Sequence, residues 1–370
     1  MPKKNQKIKN NITDLVFGDG SHNKYNSLLK HGWDVLPVLA EFLTMDLKID
    51  ELEKAERILK IILRTHIHDK VTGQDARDLA LFQKEIGFLF KYKSYAIKAA
   101  SPLGYSIFTQ KQGEGFSFQQ HISHKTEIFH ILEVQKGGYV FICDYDEWNQ
   151  FYEKETFAKW LDGDPDDRYD RYRIEPKPGD VFIIDKLRVV HTVLGCILEE
   201  FATVSTDMVD RLHDQNEGKT IPSFYNRNYA KEFIRNISFP GRNRHVSISS
   251  YDHSVSEIIP VKIPGGYITR LATQPVYASR YSVEPFSVTE CQRDEACAIS
   301  IYVSNGEGNV IMGDHEEVKK ISPPTIGVYP GDLLMIPKGI YYAFVNEGSE
   351  SLNLSEHKIS LEVAFNKSLF

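Results

Sequence analysis

The sequence contains Pro178-Gly179-Asp180-Val181-Phe182-Ile183-Ile184 and, further on, Pro330-Gly331-Asp332-Leu333-Leu334-Met335-Ile336. In each stretch Pro-Gly-Asp predicts a turn in which the glycine takes a positive φ, and the apolar run that follows predicts a buried strand. The second stretch comes about 150 residues after the first, a domain-length spacing that indicates an internal duplication.

Short runs rich in Ile, Val, Phe and Tyr surround both stretches and alternate with Gly, Pro and Asp turns, as in FSFQQH, EIFHILEV and GYVFICDY. Many short strands at such spacing are typical of a β-sandwich or β-barrel. We predict a mainly β protein with one barrel over residues 101–215, a linker or helical segment over 216–245, and a second barrel over 246–370.

The first 100 residues have a different pattern, with apolar residues at three-and-four spacing after a basic tail. This pattern predicts an α-helical domain or cap, whose third helix opens at Thr72-Gly73-Gln74-Asp75. His66 and His68 end the preceding helix, where the helix dipole favours histidine, so we interpret them as capping residues and not as metal ligands.

The composition limits the class of protein. The chain has 370 residues, 41% of them apolar, and a net charge of −7. It can therefore bury sizeable cores, and it lacks the basic excess of a nucleic-acid-binding protein. The four cysteines form no CxxC pair, and no apolar run approaches the roughly 18 residues of a membrane span. These features predict a cytoplasmic protein with reduced thiols and no membrane partner.

A group of histidines and a glutamate marks the candidate site. His121 and Glu127 lie on neighbouring predicted strands, and His191 follows the DVFIID strand. Imidazole and carboxylate groups that converge in a barrel suit one divalent ion such as Fe(II), Mn or Zn. His124 would join them only through a strand bulge. His130 has the opposite strand phase to Glu127, which predicts packing and no ligand role.

The two segments resemble the motifs of the cupin superfamily. Gly115, five residues, His121 and then Glu127 follow the first motif, with Ser123 where the second histidine belongs and His124 one position later. Gly179 and His191 follow the second motif, with His191 one residue late. The resemblance implies a jelly-roll barrel, the double-stranded β-helix, with a metal held by His121, Glu127 and His191, and with His124 as an addition or substitute.

The C-terminal copy resembles the second cupin motif in register, through Gly331, Pro337, Gly339 and Asn346. Tyr342 occupies the position of the metal-binding histidine, and Ile299 occupies that of the glutamate. The resemblance therefore implies a bicupin whose second barrel is degenerate and binds no metal.

A polar segment follows the first barrel and contains Glu200, Asp207 and Arg211. Ser205, Thr206 and Asp207 could simply cap a helix. The alternative is that Glu200, or Asp207 with Arg211, projects into the barrel and binds a polar substrate. This stretch is similar to one in cupin sugar isomerases of the D-lyxose isomerase type.

Three functions remain open at this stage. The first is a metal-dependent isomerase or epimerase of a sugar or sugar phosphate, with Glu127 or Glu200 as the base. The second is an Fe(II) dioxygenase or other oxidative enzyme. The third is a non-catalytic ligand-binding bicupin. We also expect a small polar substrate and assembly as a homodimer.

Overall fold

The computed structural model describes residues 53, 56, 72–86, 97–101, 105–121, 126–184, 189–202, 209–213, 252–254, 259–272 and 276–359. The first two predicted helices lie outside this part of the chain except for Glu53 and Glu56, which are helical. The predicted linker over 216–245 also lies outside it. No helix of the described residues is both long and apolar enough to cross a bilayer.

The first half of the described chain is built from one helix, nine strands and a helical insertion. The elements are helix α1 (Gly73–Ile86), strands β1 (Ile97–Ser101), β2 (Tyr105–Thr109), β3 (Phe118–His121) and β4 (Glu127–Asp144), helices α2 (Tyr145–Phe151), α3 (Lys154–Leu161) and α4 (Asp167–Asp170), and strands β5 (Arg173–Ile174), β6 (Val181–Ile184), β7 (Val189–Ala202), β8 (Val209–His213) and β9 (Asp252–Ser254).

Strands β1 to β9 form one nine-stranded sheet, which we call the first barrel. Its main path runs β1-β2-β7-β4-β6-β9, and β3 joins β7 to β8. The long strands β4 and β7 pair antiparallel over most of their length. Strand β9 lies within the range predicted for the second barrel, yet it pairs with β6 of the first sheet. The pairing covers the edge of β6, which would otherwise expose unpaired backbone groups.

Helices α2 to α4 were not predicted from the sequence. They interrupt the β-rich region between β4 and β5 and pack aromatic side chains against the outer face of β3 and β4. Trp148, Phe157 and Trp160 surround Phe118 with ring centroids 5.0–6.2 Å apart. Aromatic pairs at these distances stabilise beyond simple area burial. The insertion therefore holds β3 in place from the outer face of the sheet.

The second half of the described chain contains eleven strands and one short helix. They are β10 (Val261–Ile263), β11 (Gly266–Ala272), β12 (Val276–Val283), β13 (Ser287–Val288), β14 (Gln292–Arg293), β15 (Ile299–Asn305), β16 (Gly308–Gly313), helix α5 (His315–Val318), β17 (Thr325–Val328), β18 (Leu333–Ile336), β19 (Tyr341–Asn346) and β20 (Leu352–Ile359).

These strands form two facing sheets, which together we call the second barrel. One sheet runs β10-β11-β12-β20-β15-β18, and the other runs β13-β19-β16-β17 with β14 beside β19. Apolar residues from both sheets share one buried cluster. The prediction of a mainly β fold with two such units is thus confirmed.

The two Pro-Gly-Asp turns match bond for bond. Gly179 donates to Ile131 O at 2.8 Å, and Gly331 donates to Val303 O at 2.8 Å. Each aspartate also accepts from the backbone N–H three residues before it, at 2.8 Å in both turns. Both glycines take a positive φ, 96° and 93°, as predicted. The matched bonds place β4 and β6 of the first barrel in register with β15 and β18 of the second.

Helix α1 precedes the first barrel in sequence but packs on the second, against β16 and β18. Ala76 and Ala80 are fully buried and belong to the apolar cluster of the second barrel. Arg77 donates to Met312 O at 2.9 Å and pairs with Glu317 at 3.0 Å. The described part of the N-terminal region thus serves as a cap on the second barrel.

A buried polar group joins the two barrels. The Glu199 carboxylate lies 2.9 Å from His130 Nδ1, accepts from Tyr105 Oη at 2.9 Å, and is in hydrogen-bond contact with Ser355 of the second barrel. An apolar cluster shared by the barrels surrounds it. Burial acts to raise the pKa of Glu199, but the hydrogen bond and positive charge of His130 and the charge of Arg280 hold that pKa below its ordinary value.

Replacing Glu199 with alanine should strongly destabilise the protein, because it leaves His130 buried without its carboxylate. We expect a loss of about 3–5 kcal/mol in the free energy of unfolding, measured by denaturant titration. Exposed Glu175 provides the control, and Glu175→Ala should change the free energy of unfolding by no more than about 0.5 kcal/mol.

The lowered pKa of Glu199 also predicts a pH dependence. A carboxyl group with a lowered pKa stabilises the fold at pH values above its ordinary pKa of about 4.3. The difference between wild type and variant should therefore shrink as the pH falls through the lowered pKa. A loss that stays constant into that acidic range would contradict the ionised pairing.

Because the two turns have the same geometry, replacing either turn glycine with alanine should lower the free energy of unfolding by a similar amount. Nothing lies within 4 Å of a Cβ added at Gly179 or Gly331, so Gly179→Ala and Gly331→Ala should each cost only the backbone strain of a positive φ. That strain is about 1–2 kcal/mol in unfolding measurements. Gly327 lies in β17 with ordinary van der Waals space around a Cβ, so Gly327→Ala should be close to neutral.

Candidate metal centre

Three side chains converge inside the first barrel from three different strands. His121 ends β3, Glu127 begins β4, and His191 lies near the start of β7. All three are nearly inaccessible to solvent, with at most 2% of each side chain exposed. Successive strand residues alternate between faces, so Phe118 packs outward on the aromatic insertion while His121, three residues on, points inward.

The carboxylate of Glu127 bridges the two imidazoles. His121 Nε2 lies 3.4 Å from Oε1, and His191 Nε2 lies 3.2 Å from Oε2. The two rings are nearly perpendicular, at 77°, with centroids 4.9 Å apart. One potential ligand atom from each residue lies within 4.8 Å of the others. We call these three residues the His–Glu–His cluster.

The backbone fixes the tautomer of His191. Its Nδ1 lies 2.9 Å from the carbonyl oxygen of Val189, which can only accept a hydrogen bond. Nδ1 therefore carries the proton, and the neutral ring presents the Nε2 lone pair to the cluster. A ligating histidine is commonly oriented by such a hydrogen bond from its other nitrogen.

The donor set and its spacing fit a divalent metal. Bonds of about 2.0–2.2 Å to nitrogen and oxygen place adjacent ligand atoms roughly 3.0–3.4 Å apart, which is the range of both His–Glu contacts. A buried carboxylate facing two imidazole nitrogens is also the arrangement that a cation between them would stabilise. The cluster therefore fits a metal site.

A fourth polar group reaches the cluster, and sequence analysis missed it. Gln119 lies opposite His191 in the β3–β7 pairing, and its Nε2 is 3.3 Å from His191 Nε2. Rotating the side-chain amide by 180° would instead turn Oε1, which can ligate a metal, towards the cluster. The signal was available in the sequence, since Gln119 and His121 are two apart on one strand and so share a face.

The other predicted site residues are placed as follows. Glu200 is half-buried on β7 opposite Phe129, and Glu127 lies opposite Ala202. Glu200 and Glu127 therefore share the inner face as diagonal neighbours, a relation that puts residues about 7–8 Å apart.

The remaining candidates lie elsewhere. Arg211 lies on β8 opposite Gln119. His124 and Asp207 lie outside the described residues. His130 faces away from the cluster and pairs with Glu199.

The equivalent region of the second barrel is held together by its own hydrogen bonds. Tyr342 takes the position of His191, and Gln292 lies opposite it as Gln119 lies opposite His191. The Tyr342 hydroxyl lies 2.7 Å from Glu356 Oε2 and 3.3 Å from Gln292 Oε1. Tyr281 Oη lies 3.1 Å from the same Gln292 oxygen. Burial raises the pKa of Glu356 above its ordinary value, which favours the protonated acid.

No family model and no curated protein sequence matches the chain. Solved structures similar to it include oxalate decarboxylase from Bacillus subtilis, with 16% identity over 68% of this chain and 66% of that one and a TM-score of 0.42. Mannose 6-phosphate isomerase from Bacillus subtilis is similar at 13% identity over 68% and 74%, with a TM-score of 0.40. Oxalate decarboxylase from Lactobacillus farciminis is similar at 10% identity over 69% and 75%, with a TM-score of 0.41.

The chain's own structure agrees with the cupin resemblance of its two motifs. The same Pro-Gly-Asp turn opens β6 in the first β unit and β18 in the second, and the two motif segments of the first unit meet at the His–Glu–His cluster. The corresponding positions of the second unit hold Ile299 and Tyr342.

Replacing His191 with alanine should abolish high-affinity metal binding and leave the fold intact, since it removes one of two imidazole ligands while the apolar residues of the core cluster still pack on one another. Metal content after purification, measured by mass spectrometry, should fall from about one ion per chain to a small fraction. Exposed His315 provides the matched control, and His315→Ala should keep the full complement. A His191→Ala protein with unchanged metal content would refute this site.

Proposed function

We propose that the chain is a metal-dependent enzyme that isomerises or epimerises a small polar substrate, a sugar or sugar phosphate. The observation that supports this most directly is the presence of two carboxylates with different surroundings on one barrel face. Glu127 is buried between two imidazoles, whereas Glu200 is half-buried on the neighbouring strand. One carboxylate can then bind metal while the other moves a proton.

The metal would be held by His121, Glu127 and His191, with the amide oxygen of Gln119 as a further donor. This mixed nitrogen and oxygen set suits Fe(II), Mn or Zn. We propose Mn or Zn because the proposed isomerisation requires no change of oxidation state at the metal. Such an ion, when bound, supplies Lewis-acid polarisation of an adjacent carbonyl and hydroxyl pair.

Glu200 is the proposed base. It would remove a proton from the carbon next to the polarised carbonyl and return it to the neighbouring carbon. Glu127 is unsuited to this step, because both of its oxygens face imidazole nitrogens. Phe129 lies opposite Glu200 on the neighbouring strand, and its ring centroid is 6.2 Å from that of His191, which gives this part of the barrel an apolar surface. An apolar surrounding strengthens the interaction between the base and a bound substrate.

Gln119 is the proposed specificity residue. Its amide nitrogen lies 3.3 Å from His191 Nε2, and the Gln119 side chain is itself only half-buried. An amide at that point can donate to or accept from a substrate hydroxyl, as polyol recognition requires.

Replacing Glu200 with glutamine should remove the base and keep the metal. We expect turnover of an aldose or aldose phosphate panel to fall by about 10²–10⁴-fold, with metal content unchanged. The assay is incorporation of solvent deuterium into the product, followed by NMR in deuterated water. Glu133→Gln, at an exposed position of β4, is the control and should retain activity.

The same assay separates the proposal from oxidative chemistry. Isomerisation should proceed at an unchanged rate without oxygen. Turnover that consumes oxygen stoichiometrically with a bound iron would contradict the proposal and favour a dioxygenase.

A further inference from the structure

The matched turns identify which end of the second barrel corresponds to the cluster end of the first. Glu127 lies opposite Ile184, and Ile299 lies opposite Ile336. His191 lies opposite Ile142, and Tyr342 lies opposite Met312. The end marked by Ile299, Met312 and Tyr342 is therefore the counterpart of the metal centre, and we call it the ligand end of the second barrel.

Helix α1 lies on this ligand end. Ala76 and Ala80 are in the same buried cluster as Ile299 and Ile336. The Arg77 guanidinium binds the carbonyl oxygen of Met312, the residue opposite Tyr342.

The start of the helix approaches the barrel backbone very closely. A Cβ added at Gly73 would lie 2.7 Å from Gly313 Cα, at the end of β16. Because real Cβ atoms do not approach so closely, only glycine permits this contact.

We propose that helix α1 is a built-in plug that closes the ligand end of the second barrel to small molecules. This inference goes beyond the proposed activity and does not depend on it. The chain's own helix occupies in one barrel the end at which the other barrel carries its cluster.

The polar groups around Tyr342 at the ligand end support this assignment. Tyr342, Tyr281, Gln292 and Glu356 hydrogen-bond among themselves at 2.7–3.4 Å, and the glutamate position of the first barrel is taken by apolar Ile299. The ligand end thus has an apolar floor on which alanine side chains can pack and a polar cluster whose members bind each other.

Single substitutions can remove the described contacts that hold the first part of the helix. Among residues 73–81, whose side chains the structure describes, the fully buried apolar side chains are Ala76, Leu79 and Ala80, and Arg77 makes the polar contacts to the barrel. Ala80→Asp would place a carboxylate in the apolar cluster, and Arg77→Ala would remove the anchor without introducing any charge. Leu81→Ala is the matched control on the same helix, because the Leu81 side chain is 49% exposed.

The experiment is hydrogen–deuterium exchange on the full chain, with binding of the apolar dye anilinonaphthalene sulfonate as a second readout. Displacing the plug should raise exchange in β16 and β18 at least tenfold in Ala80→Asp, and by a smaller factor in Arg77→Ala. Dye fluorescence should rise in parallel. Exchange in β4 and β7 of the first barrel should stay at the level of the Leu81→Ala control.

Two results would overturn the proposal. If neither variant exchanges faster than the control in β16 and β18, α1 does not close that barrel. If β4 and β7 lose protection together with β16 and β18 in Arg77→Ala, the helix supports the whole fold and is no plug. Neither readout involves metal or substrate, so failure of the proposed activity would leave this test unaffected.

Discussion

The two barrels depend on one buried carboxylate. Glu199 is fully buried where the barrels meet, and an ionised group in such a place is tolerated only when it is paired and hydrogen-bonded. His130 and Tyr105 of the first barrel and Ser355 of the second supply those bonds. Because Glu199 is on β7, the strand that also carries His191 and Glu200, the contact between the barrels fixes one of the three strands that form the site.

The strand register shows that Glu199 and Ser355 occupy equivalent positions in the two barrels. Glu199 lies opposite His130 on β4, and Ser355 lies opposite Tyr302 on β15, the counterpart of β4. Two equivalent positions of the duplicated unit thus contact each other where the barrels meet. The pair is chemically unequal, a carboxylate and a hydroxyl, because two carboxylates at this distance would repel.

The two barrels also carry different side chains at equivalent positions of their interiors. Where the first barrel has His191 and Glu127, the second has Tyr342 and Ile299. Glu200 and Glu356 are counterparts, opposite Phe129 and Ile301. In the first barrel the polar groups face one another as potential ligands, whereas in the second they are hydroxyls and a raised-pKa acid that satisfy each other. The same strand framework therefore carries polar groups that fit a metal ion in the first barrel and polar groups that hydrogen-bond to one another in the second.

The sequence predicted the features that follow from local chemistry. The Pro-Gly-Asp turns, the strands after them and the outward phase of His130 depend only on glycine conformation and on strand periodicity. Gln119 was missed because the motif was counted from Gly115, whereas strand alternation from His121 would have found it. The cap formed by α1, the pairing of β9 with β6 and the Glu199 contact depend on which surfaces meet in three dimensions, and no local pattern encodes that.

The aromatic insertion gives the molecule an internal optical reporter. Trp148 and Trp160, two of its three tryptophans, pack on Phe118 at the back of the strand that carries Gln119 and His121. Indole emission depends on the polarity and rigidity of its surroundings, so two of the protein's three indoles respond to changes in packing behind β3. Shifts in the strand that lines the cluster are therefore transmitted to a chromophore already present, and the first barrel can be followed spectroscopically without any added label.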